Sequence, residues 1–67
     1  MKKVRLSLKQ FLELYDDWNR ITRVNDNELH PIVEDVMVNI YENRTDLLNM
    51  KVVAFGFYDG VMTVRIK

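Results

Sequence analysis

Asp59-Gly60 sits between two runs of alternating β-branched and aromatic residues, and no other pair in the chain restricts its fold as much. A two-residue Asp-Gly loop favours a type I′ turn, because both positions need positive φ and the turn's twist matches that of its strands. Residues 51–58 and 61–67 are therefore expected to form a C-terminal β-hairpin. The loop length also sets the register: Tyr58 opposite Val61, Phe57 opposite Met62, Phe55 opposite Val64 and Val53 opposite Ile66. One face then carries Val53, Phe55, Phe57, Met62, Val64 and Ile66, all apolar, and is the expected core wall. The other carries Val52, Ala54, Gly56, Tyr58, Val61, Thr63, Arg65 and Lys67, a mixture of small, aromatic and cationic side chains.

Upstream, Val4 and Leu6 alternate with Lys3 and Arg5 and suggest a short first strand. Ser7 and Gln10 have the spacing of a capping box. Beyond it, Leu8, Phe11, Leu12, Leu14, Tyr15 and Trp18 fall within one arc of about 160° at helical periodicity. An amphipathic helix is expected over residues 8–19. From Ile21 the residues become β-rich, up to the turn-forming cluster Asn25-Asp26-Asn27. Residues 29–33 are the expected returning strand, at an edge because Pro31 has no amide to donate. Glu34-Asp35 is the next expected turn, and the alternation of Val36, Val38 and Ile40 predicts a strand over 36–41. Asn43 or Thr45 can cap a single helical or 3₁₀ turn ending by Asn49. These elements assemble into one α+β domain spanning 1–67. A small antiparallel sheet carries one amphipathic helix on its apolar face, a two-layer sandwich closed by the C-terminal hairpin.

At 67 residues the chain is near the lower limit for folding on a hydrophobic core alone. It has no cysteine and one histidine, so disulfides, thiolate zinc sites and His/Cys metal centres are excluded. Self-association is the remaining stabiliser, and a homo-oligomer is one expected state. Apolar content of 48% with 30% charged residues is globular, and no apolar run approaches the roughly 18 residues of a membrane span. Lys9, Gln10, Glu13, Asp16 and Asp17 interrupt any leader-like core after the basic start, so a cytoplasmic location is expected. The formal net charge of zero conceals an asymmetry. Residues 13–49 hold nine acids and three arginines (−6), whereas the flanks hold seven bases and Asp59 (+6).

None of these residues makes a catalytic set. His30 has no nucleophile or acid arranged around it in sequence, and Ser7 is committed to its cap. A non-enzyme without a cofactor is the expectation. The acids Asp16, Asp17, Asp26, Glu28, Glu34 and Asp35 lack calcium-loop spacing and read as an acidic surface. A chain neutral overall is disfavoured as a general nucleic-acid binder, and the terminal lysines and arginines are explained as guards of sheet edges. The second hairpin face is the candidate partner-binding surface. Ala54 and Gly56 leave space beside Tyr58, with Thr63 and Arg65 opposite, and tyrosine and arginine are enriched at interface anchors.

Phe11-Leu12-Glu13-Leu14-Tyr15-Asp16 with Trp18, then Val24-Asn25-Asp26, then Asp46-Leu47-Leu48 and the run from Val52 to Gly60 carry a resemblance. By these segments the chain resembles short proteins encoded in prophages and mobile elements of low-GC Gram-positive bacteria. The resemblance implies a non-enzymatic binder of a host protein or complex, such as a CRISPR or other defence system, in the cytoplasm of a bacterial host. Two alternatives stand beside it. One is an oligomeric sponge for a nucleotide-like ligand, with Tyr58 stacking and Arg65 pairing a phosphate. The other is an accessory protein with a constitutive partner.

Overall fold

Asp59 at φ 54° and Gly60 at φ 77° adopt the left-handed backbone that a type I′ turn requires, and the expected hairpin forms around them. The computed structural model describes residues 6–67. In chain order the elements are α1 (Leu8–Tyr15), β1 (Ile21–Asn25), β2 (Pro31–Val36), α2 (Met37–Asn43), β3 (Val52–Tyr58) and β4 (Val61–Ile66). The α+β class and the C-terminal hairpin stand as the sequence predicts. The four strands lie in the order β2-β1-β4-β3. Because β1 and β4 pair in parallel, the sheet is mixed rather than wholly antiparallel. The expected strand at Val4 falls outside the described residues. Leu6 is in no strand, although its carbonyl accepts the Val52 amide at 2.9 Å.

The parallel pair follows from how two hairpins are joined. β1–β2 and β3–β4 are each antiparallel, so β2 and β3 run in the same direction at opposite edges. The connection must cross the sheet, about three strand spacings of ~4.8 Å. A helical crossover does this while satisfying its own backbone. Residues 36–41, expected as a strand, therefore supply most of α2. Their apolar residues alternate but also satisfy helical spacing, and Met37 and Ile40 are both buried. Glu34 and Asp35, expected as a turn, belong to β2, whose strand runs three residues beyond the expected 29–33.

α1 stops at Tyr15 rather than at residue 19. Asp16 takes a left-handed conformation (φ 57°) and its amide returns to the Leu12 carbonyl at 3.0 Å. The Trp18 indole N–H donates to the Asp16 carboxylate at 2.6 Å, holding the chain as it turns away. At the other end the capping box forms as expected: the Ser7 hydroxyl accepts the Gln10 amide and Gln10 Oε1 accepts the Ser7 amide. Two further orphan amides, of Leu8 and Lys9, donate to the carbonyls of Met50 and Leu48. α2 has no side-chain cap; its first amides, Met37 and Val38, donate to the carbonyls of Arg20 and Trp18. Residues 44–50 form turns closed by i+3 hydrogen bonds, which tuck Leu47 and Leu48 into the core.

Both helices cover the same sheet face. Leu8, Phe11 and Leu12 of α1 and Met37 and Ile40 of α2 pack with Val24, Val52, Met62, Val64 and Ile66. The Tyr41 hydroxyl donates to the Glu13 carboxylate, tying α2 to α1, and that bond holds the Tyr41 phenol above its usual pKa. The apolar wall departs from expectation at one strand end. A register shift between Val52 and Ala54 sets Val52, not Val53, opposite Ile66, so Val52 is buried and Val53 is 38% exposed. Phe55 and Phe57 do face the helices, at the sheet's edge, where they stay half-exposed against Phe11 (4.9 Å between ring centroids) and Tyr15 (6.1 Å).

Candidate functional site

Helices on one side leave the other face of the sheet open. Strand alternation places Arg23 and Asn25 of β1, Thr63 and Arg65 of β4, and Ala54, Gly56 and Tyr58 of β3 on that face. The register sets Asn25, Arg65 and Ala54 in one row and Glu34, Arg23, Thr63 and Gly56 in the next. Together with Leu29 from the β1–β2 turn and Phe55 of β3, all of these residues except Glu34 line a shallow concavity of about 430 Å³. The five residues singled out from sequence, Ala54, Gly56, Tyr58, Thr63 and Arg65, all lie on its wall. Arg23, Asn25, Leu29 and Phe55 complete it and were not foreseen there. Alternation along β1 groups Arg23 with Asn25, but only the parallel β1–β4 pairing brings them beside Arg65.

Gly56 lets the Tyr58 ring lie close to the sheet. A Cβ at position 56 would stand 3.3 Å from the ring's Cε2, so the ring covers the glycine and presents its other side to solvent, 65% exposed overall. Three polar atoms here are shielded from solvent and have no hydrogen-bond partner among the described residues: Asn25 Oδ1, Thr63 Oγ1 and Arg65 Nε. Leaving such a group unpaired costs about 1–3 kcal/mol. Among the described residues, Arg20, Arg23 and Arg44 each pair with a carboxylate (Asp17 at 2.8 Å, Glu34 at 2.6 Å, Asp46 at 3.0 Å), and Arg65 does not. The concavity therefore holds one uncompensated guanidinium.

Leu29 enters the wall through a strained turn. Its φ of 68° is uncommon for a side chain of this size, and the side chain is 62% exposed. The turn is held by Asp26, whose Oδ1 accepts the amides of Glu28 and His30, both at 2.9 Å, while its own amide donates to the His30 carbonyl. The His30 amide bond is the main reason the Asp26 carboxyl titrates below its ordinary 3.8; partial burial opposes this and the Glu28 amide adds to it. A carboxyl depressed on folding contributes stability that is present above its unfolded pKa and lost as pH falls through the folded one. Acidification below 3.8 is thus expected to loosen this turn. Exchange rates of the Glu28 and His30 amides should rise there, and Asp26→Ala should show the fast rates at every pH.

The acidic candidates do not converge. Asp16 accepts from Trp18, Asp17 pairs with Arg20, Asp26 holds its turn, Glu34 pairs with Arg23, and Asp35 accepts the Val36 amide and the Asn39 side chain. Glu28 alone of the six has no side-chain hydrogen bond among the described residues. No group of three metal-ligating side chains forms among the described residues. His30 is exposed in the β1–β2 turn, its Nδ1 3.5 Å from Asp26 Oδ2. Among the described residues, no helix is long and apolar enough to cross a membrane.

Compared with known protein families, curated proteins and solved structures, the chain matches none.

Proposed function

We propose that the chain is a non-enzymatic binding protein of prophage or mobile-element type that occupies a protein complex of its bacterial host, a CRISPR or other defence complex being the class of target, in the cytoplasm. The observation that carries the binding role is the open sheet face, where Arg65 Nε, Thr63 Oγ1 and Asn25 Oδ1 are shielded yet unpaired around one uncompensated charge. Shielded, unpaired polar groups around an unpaired charge on an open face support a role in binding. The bacterial-host context comes from the sequence resemblance. The acidic residues carry less of the proposal, since five of the six already serve the fold.

Tagged wild-type chain and four charge-altered variants, each used to capture partners from host cytoplasm, test this reading. Arg65→Glu and Thr63→Glu should each reduce recovery of the captured complex at least about tenfold. Lys9→Glu, on the exposed side of α1, should leave recovery unchanged. A complex retained by Arg65→Glu but lost on reversing Asp16, Asp17, Asp26, Glu28, Glu34 and Asp35 would move the binding surface to the acids.

A second reading is favoured by one observation. The exposed Tyr58 ring lies on the same wall as Arg65, an arrangement suited to stacking a planar base and pairing its phosphate. This is the oligomeric nucleotide sponge. Nucleotide released on heating purified chain, together with a self-associated state in sedimentation, is its expected signature.

A further inference from the structure

The outer face specifies more than the presence of a partner. We infer that the concavity is a receptor for an oxyanion carried on an apolar body, with the Arg65 guanidinium taking the anion and Tyr58 and Leu29 holding the body. The inference rests on the outer face being the binding surface and adds the chemistry of the group it receives.

Charge comes first. Arg23 and Arg65 are the charged residues of the wall, and only Arg23 has its acid, Glu34 at 2.6 Å. Arg65 lies in the same row as Asn25 and Ala54, two small neighbours that leave its guanidinium laterally accessible. A guanidinium offers five donors in a planar fork and matches carboxylate and phosphate two bonds at a time. The Nε is shielded beneath its neighbours, so the terminal nitrogens of the guanidinium are the donors offered to such a ligand.

Leu29 is the independent observation. Glycine or asparagine is the residue that this left-handed position favours, and a leucine there is strained. The strain holds an exposed apolar side chain at the rim of the concavity, across from the Tyr58 ring. Nothing in the core needs Leu29, which is absent from the packed cluster. A wall with one unpaired cation and apolar side chains at its margin fits an anion with an apolar attachment better than inorganic phosphate. The space of about 430 Å³ is that of one small organic molecule or one inserted side chain.

Titrating the ¹⁵N-labelled full chain with benzoate, phenyl phosphate, inorganic phosphate and the neutral isostere benzamide tests the assignment. Benzoate or phenyl phosphate should shift the Arg65 Nε–H, Thr63 and Asn25 signals saturably, at least about tenfold more tightly than benzamide and than inorganic phosphate. A preference for benzoate points to a carboxylate, from a protein side chain or an organic acid. A preference for phenyl phosphate points to a phosphate ester. Arg65→Met should weaken the better probe at least about tenfold, and Leu29→Gly severalfold, with both variants still melting cooperatively. Equal binding of benzamide, affinity unchanged by Arg65→Met, or no saturable shift with any probe overturns the inference. Anion binding without capture of a host complex would retain the inference and remove the host-protein function. Capture abolished by Arg65→Glu, with none of the probes bound, would retain the function and remove the inference.

Discussion

Replacing Leu12 with alanine is expected to leave much of the chain unfolded at room temperature. Leu12 lies in the middle of α1 and is fully buried against the sheet. Removing a buried leucine side chain costs about 2–5 kcal/mol, combining lost transfer free energy with the cavity left behind. A core of this size yields only about 3–5 kcal/mol of net stability. The substitution therefore consumes most or all of that margin, although alanine is the better helix former. Leu14, two positions along the same helix, is the control. It is 72% exposed, and Leu14→Ala should stay within about 0.5 kcal/mol of the parent. Urea unfolding followed by circular dichroism compares the two. Similar midpoints for both variants would mean that α1 does not pack on the sheet as described.

That contrast also marks what the sequence discloses and what it does not. Its periodicity places Leu12 and Leu14 on one apolar arc, and only packing separates them. Elements set by local chemistry were legible: the Asp59-Gly60 turn, the Ser7–Gln10 box and the amphipathic α1. Elements set by distant contacts were not. Val36, Val38 and Ile40 alternate like a strand, yet the chain must cross the sheet at that point, and Met37 and Ile40 serve a helix equally well. α1 ends early because of a left-handed Asp16 fastened by Trp18, a side-chain bond that periodicity does not register. Val53 left the core wall through a bulge that the two-residue turn could not announce.

The candidate site divides along the same line. Ala54, Gly56, Tyr58, Thr63 and Arg65 belong to one hairpin, whose register a short loop fixes, and they were found together. Arg23 and Asn25 join them through a parallel pairing that brings Asn25 beside Arg65, forty residues along the chain. Leu29 joins through a positive φ that no leucine advertises. The acids stand apart for a related reason. Their clustering in sequence does not survive folding, because neighbouring arginines, amides and the Trp18 indole claim them individually.

Arg65 gives the second large effect, and its sign is informative. A cation that stabilises a fold pairs with an acid or caps a carbonyl, so its removal lowers stability. Among the described residues Arg65 does neither, and its shielded Nε is unpaired. Arg65→Met keeps a stem of similar length over Ala54 and Asn25 while deleting the donor and the charge. Relief of that unpaired group is expected to raise stability by about 1 kcal/mol, within the ~1–3 kcal/mol that an unsatisfied group costs. For a domain of this length, that is a rise in Tm of roughly 4–8 °C. Thermal melts at matched pH and ionic strength measure it. A lowered Tm would make Arg65 a structural residue and remove the reason for treating the outer face as a receptor. A raised Tm, accompanied by loss of anion binding, would show stability given up at Arg65 in exchange for recognition. Functional groups commonly stand in that relation to the folds that carry them.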